Sequence, residues 1–344
     1  MKVDRNCRCG LENLAVLRGM RDAFNAEKLE AALRSYALIG AAGYIAPRHM
    51  RAIAETGGNL LVAYDPNDSV GIIDSHFPDA HFFTEFEQFD RYIDEARRSG
   101  QGVDFVAICS PNYLHDAHCR FAMRGGADAI CEKPLVLDPS DIDGLARIEH
   151  DTGRRISTIL QLRLHPAIVA LRERYANSNK RHKVELTYIA SRGRWYHASW
   201  KGEDGKSGGV ATNIGVHFFD MLGFVFGAVS RNEAHLREPE RAAGSLECER
   251  ADVSWFLSID RGDLPENVRG KKTTFRSIKV DGEEIEFSEG FTDLHTRSYE
   301  EILAGRGFGL DNVRTSIDIV STFRRLPIRS ANGVHPFAIR ANRS

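Results

Sequence analysis

Two side chains in this sequence suit the oxidation of a secondary alcohol, Lys133 and His217. That chemistry needs a proton acceptor at the hydroxyl and a hydride acceptor at the carbon. Lys133 belongs to Cys131-Glu132-Lys133-Pro134-Leu135, a turn at the C-terminal end of an apolar run. Parallel sheets place their ligands at such strand ends, and Pro134 fixes the turn and removes an N–H. A lysine base has to be partly neutral, so its surroundings should depress its pKa. His217 opens an apolar helix expected over 214–226. It stands four residues after Asn213, which would put both on one helical face. Each residue also has an ordinary reading: strand-end lysines are usually exposed, and a lone histidine on an apolar helix is usually structural. Asp220 is read as orienting His217, and Asn213, which cannot be a base, as a hydrogen-bonding group for substrate.

Alternating strands and helices must position these groups. Apolar runs at 36–39, 60–64, 105–108, 129–131 and 156–160 read as strands, separated by helical patterns at 47–55, 86–98, 114–123 and 142–150. Continuous apolar strands alternating with helices indicate a parallel sheet covered on both faces. After Pro166 the rhythm changes. Strand-like segments at 183–191, 245–249, 252–259, 274–280 and 283–287 follow, the last two joined by the hairpin signal Asp281-Gly282. Helices are expected at 214–226, 294–304 and 312–324. The expected class is α/β: an N-terminal doubly wound Rossmann sheet over 36–162, then an α+β domain with an open, mostly antiparallel sheet over 163–330. Residues 1–35, with an amphipathic helix over 12–34, read as an extension, and 331–344 as a tail.

The first strand runs into Ile39-Gly40-Ala41-Ala42-Gly43-Tyr44-Ile45-Ala46 and a helix. Small residues there permit a tight turn and let N–H groups approach a pyrophosphate at the helix N-terminus. Gly40, Ala42, Gly43, Tyr44 and Ile45 are therefore expected at a dinucleotide, although the loop reads G-x-x-G-x-x-A rather than G-x-G-x-x-G. Asp65, at the end of the second strand, suits the adenosine ribose hydroxyls and would repel a 2′-phosphate, favouring NAD over NADP. Ser110, Pro111, Asn112 and His115 lie where such a cofactor crosses the sheet edge. Asn112 equally suits a helix cap. Glu132 suits either the nicotinamide ribose or a salt bridge.

The bulk numbers exclude other classes. A chain of 344 residues with formal net charge −2 lacks the basic domain of a nucleic-acid binder. No apolar run reaches the roughly 20 residues of a membrane helix, so no membrane partner and a cytoplasmic location are expected. The six cysteines, Cys7, Cys9, Cys109, Cys119, Cys131 and Cys248, have no zinc-like spacing and read as reduced thiols with no bound metal.

Three segments, Ser110-Pro111-Asn112-Tyr113-Leu114-His115, Glu132-Lys133-Pro134 and Gly208-Gly209 through Asn213-Ile214-Gly215-Val216-His217 to Asp220, resemble the marks of the glucose-fructose oxidoreductase / inositol dehydrogenase / MocA family. Asn213 stands where that family usually has Asp. Finer texture at 40–49, 191–196, 199–201, 212–217 and 291–306 resembles the bacterial UDP-N-acetylglucosaminuronate 3-dehydrogenases. The resemblance, which covers about 36–330, implies NAD-dependent oxidation of the sugar C3 hydroxyl. The 3-keto product then passes to an aminotransferase, on the way to the O-antigen sugars of lipopolysaccharide. It implies Lys133 and His217 as the chemical pair, and a homodimer or homotetramer. Whether NADH leaves after each turnover or is reoxidised in place by a 2-oxo acid such as 2-oxoglutarate stays open.

A diphosphate and a carboxylate suit arginine forks. Arg163 follows the last parallel strand and is expected to face the cleft. Arg192, Arg194, Lys201 and Lys206 cluster in sequence around Trp195, Tyr196 and Trp200. The substrate set expected is thus Lys133, Arg163, Arg192, Tyr196, Asn213 and His217, with His49 and His165 as minor candidates. A solvated loop or a subunit contact is the plain alternative for 192–206. Three other readings stand beside the leading one: a free-sugar or inositol dehydrogenase, an NAD-dependent glycosidase, and a sensor that has lost the chemistry.

Overall fold

The computed structural model describes residues 34–285, 293–329 and 334–341. The leader through residue 33, with its expected helix and Cys7 and Cys9, lies outside them, as does the end of the strand expected at 283–287.

The apolar runs of the first half form β1 (Ser35–Ile39), β2 (Asn59–Tyr64), β3 (His81–Phe83), β4 (Phe105–Ile108), β5 (Asp128–Cys131) and β6 (Ile156–Thr158). They form one sheet in the order β3-β2-β1-β4-β5-β6, and every pairing is parallel. Between them run α1 (Ala46–Glu55), α2 (Phe86–Arg98), α3 (His115–Arg124) and α4 (Pro139–Thr152). Sequence periodicity missed β3, whose three residues are too few to show a period.

The second half comprises α5 (Pro166–Tyr175), β7 (His182–Ala190), three short helices α6 (Arg194–Ala198), α7 (Asp204–Ser207) and α8 (Gly209–Asn213), then α9 (Val216–Phe226). There follow β8 (Val229–Arg237), β9 (Arg241–Cys248), β10 (Ala251–Ser258), β11 (Thr274–Val280), β12 (Glu283–Glu284), α10 (Leu294–Leu303), α11 (Leu310–Phe323) and α12 (Pro336–Ala341). The sheet order is β12-β11-β7-β10-β9-β8. Only β7–β10 is parallel; the other pairings are antiparallel. The α/β class and the mostly antiparallel second sheet are as expected. Strand β8 was not, because Ser230, Arg231, Asn232 and Glu233 give it a polar outer half.

Along β10 the pleat divides the chain cleanly. Val253, Trp255 and Leu257 join the core beneath α5, α9 and α11, while Phe256 joins a small cluster on the opposite face. The C-terminal segment covers that outer face. There His335 Nε2 lies 3.0 Å from Thr187 Oγ1, and its ring stacks on Phe256. Burial, with a smaller push from Lys279, lowers the His335 pKa to about 4. A histidine depressed in the docked state contributes stability above its free pKa of about 6.5 and loses it as pH falls toward 4. Protease cleavage near the C-terminus should therefore rise between pH 7.5 and pH 5, and H335F should remove that rise. Equal cleavage at both pH values in the unaltered protein would show that the segment does not dock through this histidine.

No single helix among the described residues is long and apolar enough to cross a membrane.

Candidate active site

The glycine loop is built for close approach. Gly40 has φ +89°, and a Cβ there would meet the Cys109 carbonyl carbon at 2.6 Å, so only glycine fits. The Gly40 and Ala41 amides donate to Tyr64 O, the Gly43 amide to Gly40 O, and the Ala42 amide to Asp65 Oδ2 at 3.0 Å. The Tyr44 and Ile45 amides, at the N-terminus of α1, have no hydrogen-bond partner among the described residues, which leaves them open to a phosphate. Asp65 is buried. Its Oδ1 accepts from the Asn67 amide and side chain, which leaves lone pairs toward the loop. A dinucleotide fits this cradle. Tyr44 is 87% exposed, so its side chain is available as a lid rather than as core.

At the next strand ends the residues interlock. Ser110 Oγ lies 2.9 Å from His118 Nδ1. His115 Nδ1 and Nε2 lie 2.7 Å from Pro134 O and 2.8 Å from Ser110 O, so the ring is lodged between the Lys133-Pro134 turn and the end of β4 and, when neutral, donates to one of the two carbonyls. Burial lowers the His115 pKa, and the two carbonyls pull against that. Asn112, behind Pro111, does not cap the following helix. Its Nδ2 reaches across to Ser207 O at 3.0 Å and Asn213 Oδ1 at 3.3 Å, linking the first sheet to the second half of the chain.

Lys133 precedes Pro134 across a cis peptide bond, and its Nζ donates to Asn213 O at 3.2 Å. Burial lowers its pKa, Glu132 opposes that, and Arg192 adds to it. His217 makes no hydrogen bond among the described residues. Its pKa sits well below the ordinary value through burial and then through the Lys133 charge, so it is a neutral imidazole facing Lys133. The helix expected from 214 begins two residues later, as α9 at Val216, and the helical segment Asp204–Asn213 before it is bent from it by 43°. Gly215 sits at this bend because a Cβ would meet Ala211 O at 2.5 Å and Leu257 at 2.6 Å. Asn213 and His217 therefore do not share a helical face, yet both flank Lys133, one through its carbonyl and the other through its charge coupling.

Several expectations are corrected here. Arg163 does not face a cleft; it forms a buried fork with Asp220, at 2.9 Å and 2.7 Å, and donates to Asn312 O. Asp220 thus holds Arg163 and not His217. Tyr196 is 2% exposed, and its hydroxyl accepts from Asn213 Nδ2 at 2.8 Å. The Asn213 amide is committed at both ends, so it braces the site. Glu132 turns to the protein and not to a ribose: His49 and His295 hydrogen-bond its carboxylate. His49 is fully buried in that cluster, and His165 caps α5; neither is placed for substrate. Lys206 is paired with Glu203.

Arg192 and Lys201 answer the expectation of free cations. Neither has an ion pair among the described residues. Lys201 Nζ lies over the Trp200 ring at 4.2 Å and the Trp195 ring at 5.8 Å. Its pKa is lowered by burial, then by Lys133 and Arg192. Lys133, Arg192 and Lys201 thus stand within one another's electrostatic reach, and none of the three has an ion pair among the described residues.

A parallel sheet with a glycine loop, an acidic second strand end and a lysine at a strand end facing a neutral histidine define a dinucleotide-binding oxidoreductase. Family models agree. One described as "Oxidoreductase family, NAD-binding Rossmann fold" matches residues 34–159, and one for the "C-terminal alpha/beta domain" of the same family matches 181–318. The chain belongs to the GFO/IDH/MocA oxidoreductase family. The WlbA (WbpB) dehydrogenase of Thermus thermophilus, solved in complex with NAD and alpha-ketoglutarate, is 52% identical, with TM-score 0.86, over 88% of this chain and 99% of that one. It has also been solved with NAD and UDP-GlcNAcA, and that structure matches at 51% identity and TM-score 0.86. The D-glucoside 3-dehydrogenase of Escherichia coli (strain K12) is 29% identical over 38% of this chain and 39% of that protein. The inositol 2-dehydrogenase of Rhizobium meliloti (strain 1021) is 30% identical over 39% of each. The chain spans less than half the length of these curated relatives.

Proposed function

We propose that this chain oxidises the C3 hydroxyl of UDP-N-acetylglucosaminuronic acid to the 3-keto sugar with NAD, in the cytoplasm, as a homo-oligomer. The product would feed an aminotransferase of O-antigen sugar synthesis. The observation that carries the reading is that Arg192 and Lys201, which have no ion pair among the described residues, stand by Lys133, a site for an anionic sugar beside a candidate base. The likeness to the Thermus thermophilus dehydrogenase solved with NAD and UDP-GlcNAcA supports it.

Lys133 Nζ, in its neutral form, takes the proton of the C3 hydroxyl. Neutral His217 hydrogen-bonds the same oxygen and holds it in place. Arg192 and Lys201 hold the carboxylate or diphosphate, and Trp195 and Trp200 flank Lys201. The Tyr44 and Ile45 amides and Asp65 would hold NAD, which when bound would supply the hydride acceptor for C3. A 2-oxo acid that reoxidised NADH in place would bring carboxylates suited to the same cations, and the Thermus thermophilus relative has been solved with NAD and alpha-ketoglutarate.

Purified protein with NAD+, the UDP-uronic acid, a partner aminotransferase and glutamate should yield a 3-amino sugar by mass spectrometry. Intact substrate, with NAD binding still measurable, would remove this substrate. R192A and K201A should each raise KM for the nucleotide sugar about tenfold or more, as loss of a charge-assisted contact implies, with little change in NAD affinity. An unchanged KM in both would return the 192–206 region to the surface. D65A should weaken NAD binding and narrow the preference over NADP; unaltered cofactor kinetics would take Asp65 out of the site.

A further inference from the structure

The carboxylate next to the candidate base turns away from the cleft into a sealed cluster. His49 on α1 and His295 on α10 present their Nε2 atoms to Glu132 Oε1 at 3.0 Å and 3.1 Å. Tyr299 Oη stands 2.8 Å from His49 Nδ1, and the two imidazole rings meet edge to face. All four residues are buried. One proton arrangement makes every contact a hydrogen bond with both rings neutral. Tyr299 O–H donates to His49 Nδ1, and the Nε2–H groups of His49 and His295 donate to Glu132. The cluster then carries one negative charge, and Glu132 Oε2 also takes the Lys133 amide at 3.2 Å.

From this geometry we propose that His49 and His295 are positioning residues that hold Glu132 as a buried anion behind Lys133, and so set the pH at which Lys133 releases its proton. The inference rests on reading Lys133 as the base.

The charges around the two groups are unevenly distributed. Lys133 faces Arg192 and Lys201 from the loop region after β7, His217 from α9 and the Asn213 carbonyl. Glu132 faces His49, His295 and Tyr299, with Cys109 at the end of β4, His115 on α3 and His217 on α9 around it. Among the described residues, Glu132 is the acid that favours the Lys133 ammonium, against burial and Arg192. Burial alone would raise the Glu132 pKa, but hydrogen bonds from His295 and His49 hold it well below the carboxylate range. Without that anion, the surrounding cations would drive Lys133 neutral at lower pH. The same cluster ties the helix after the glycine loop, the lysine-bearing turn and α10 together at one oxygen. The three atoms lie within 4.8 Å of one another, but both Nε2 atoms carry a proton aimed at Glu132 and so present no lone pair to a metal ion.

Competitive acetylation of the full-length protein, without substrate, reads the titration midpoint of Lys133 directly by mass spectrometry of its peptide. E132Q should lower that midpoint by about one pH unit, the effect expected on losing an opposite charge nearby. H49Q and H295Q should lower it by less, with thermal melting confirming that each variant is folded. A midpoint unmoved in folded E132Q would overturn the proposal. Should E132Q fail to fold, an unmoved midpoint in H295Q would do the same, as would a stoichiometric divalent metal in the purified protein. Because no turnover is read, absence of activity on the uronic-acid substrate would sink the substrate assignment and leave this result interpretable.

Discussion

K133M should reduce turnover by about 10³-fold, within the 10²–10⁴ range that a positioned general base contributes, while NAD still binds. Methionine keeps most of the length and packing of the side chain and removes the one atom that can take the hydroxyl proton. Its loss also frees Asn213 O, whose partner is Lys133 Nζ. The measurement is turnover at saturating substrate alongside NAD titration of the same preparation. A variant that turns over normally would mean that His217 or solvent accepts the proton. A variant that loses NAD affinity as steeply as turnover would make Lys133 a cofactor ligand first.

The largest stability effect is expected away from the cleft, at D220N. The Arg163 and Asp220 side chains are 13% and 3% exposed, and the fork between them is bidentate. Burial pushes the Asp220 pKa up while Arg163 pulls it down. The asparagine variant leaves a guanidinium buried between the rings of Phe224 and Phe308 without its counter-charge. Breaking a buried pair from one side costs about 3–5 kcal/mol, which denaturant melts would register as a clear fall in midpoint. A change below about 1 kcal/mol, the range of surface pairs, would mean that water reaches the guanidinium. The prediction also separates two roles for Asp220, since a residue that only oriented His217 would cost activity and not stability.

What the sequence disclosed and what it hid follow from range. The glycine loop, Asp65 and the Lys133 turn are local: each needs particular residue types at fixed short spacings, and each stands where those spacings predict. Strands β1, β2, β4, β5 and β6 were legible because a sheet covered on both faces makes them continuously apolar. Strand β8 was hidden by its polar outer half. The roles of Arg163, Glu132 and Asn112 were hidden by distance along the chain. Their partners lie 57, 163 and 95 residues away, and no periodicity reports which of several acids or carbonyls will be met. His295 was missed, and His49 was read as a minor substrate candidate, for the same reason. Their one local signal was a histidine on the buried side of each helix, which reads equally well as core. The later start of α9, at Val216 and not at 214, was hidden because the apolar run already begins at Ile214.

The contacts that cross from the first sheet to the second half, Lys133 Nζ to Asn213 O and Asn112 Nδ2 to Ser207 O, have a kinetic meaning. The base is already docked against the opposite wall before any sugar arrives. A ligand entering this cleft has little left to recruit. Its arrival should leave amide exchange in the 207–217 stretch nearly as slow as before, and its selectivity is then decided by what the standing cleft admits, since no jaw has to close around it.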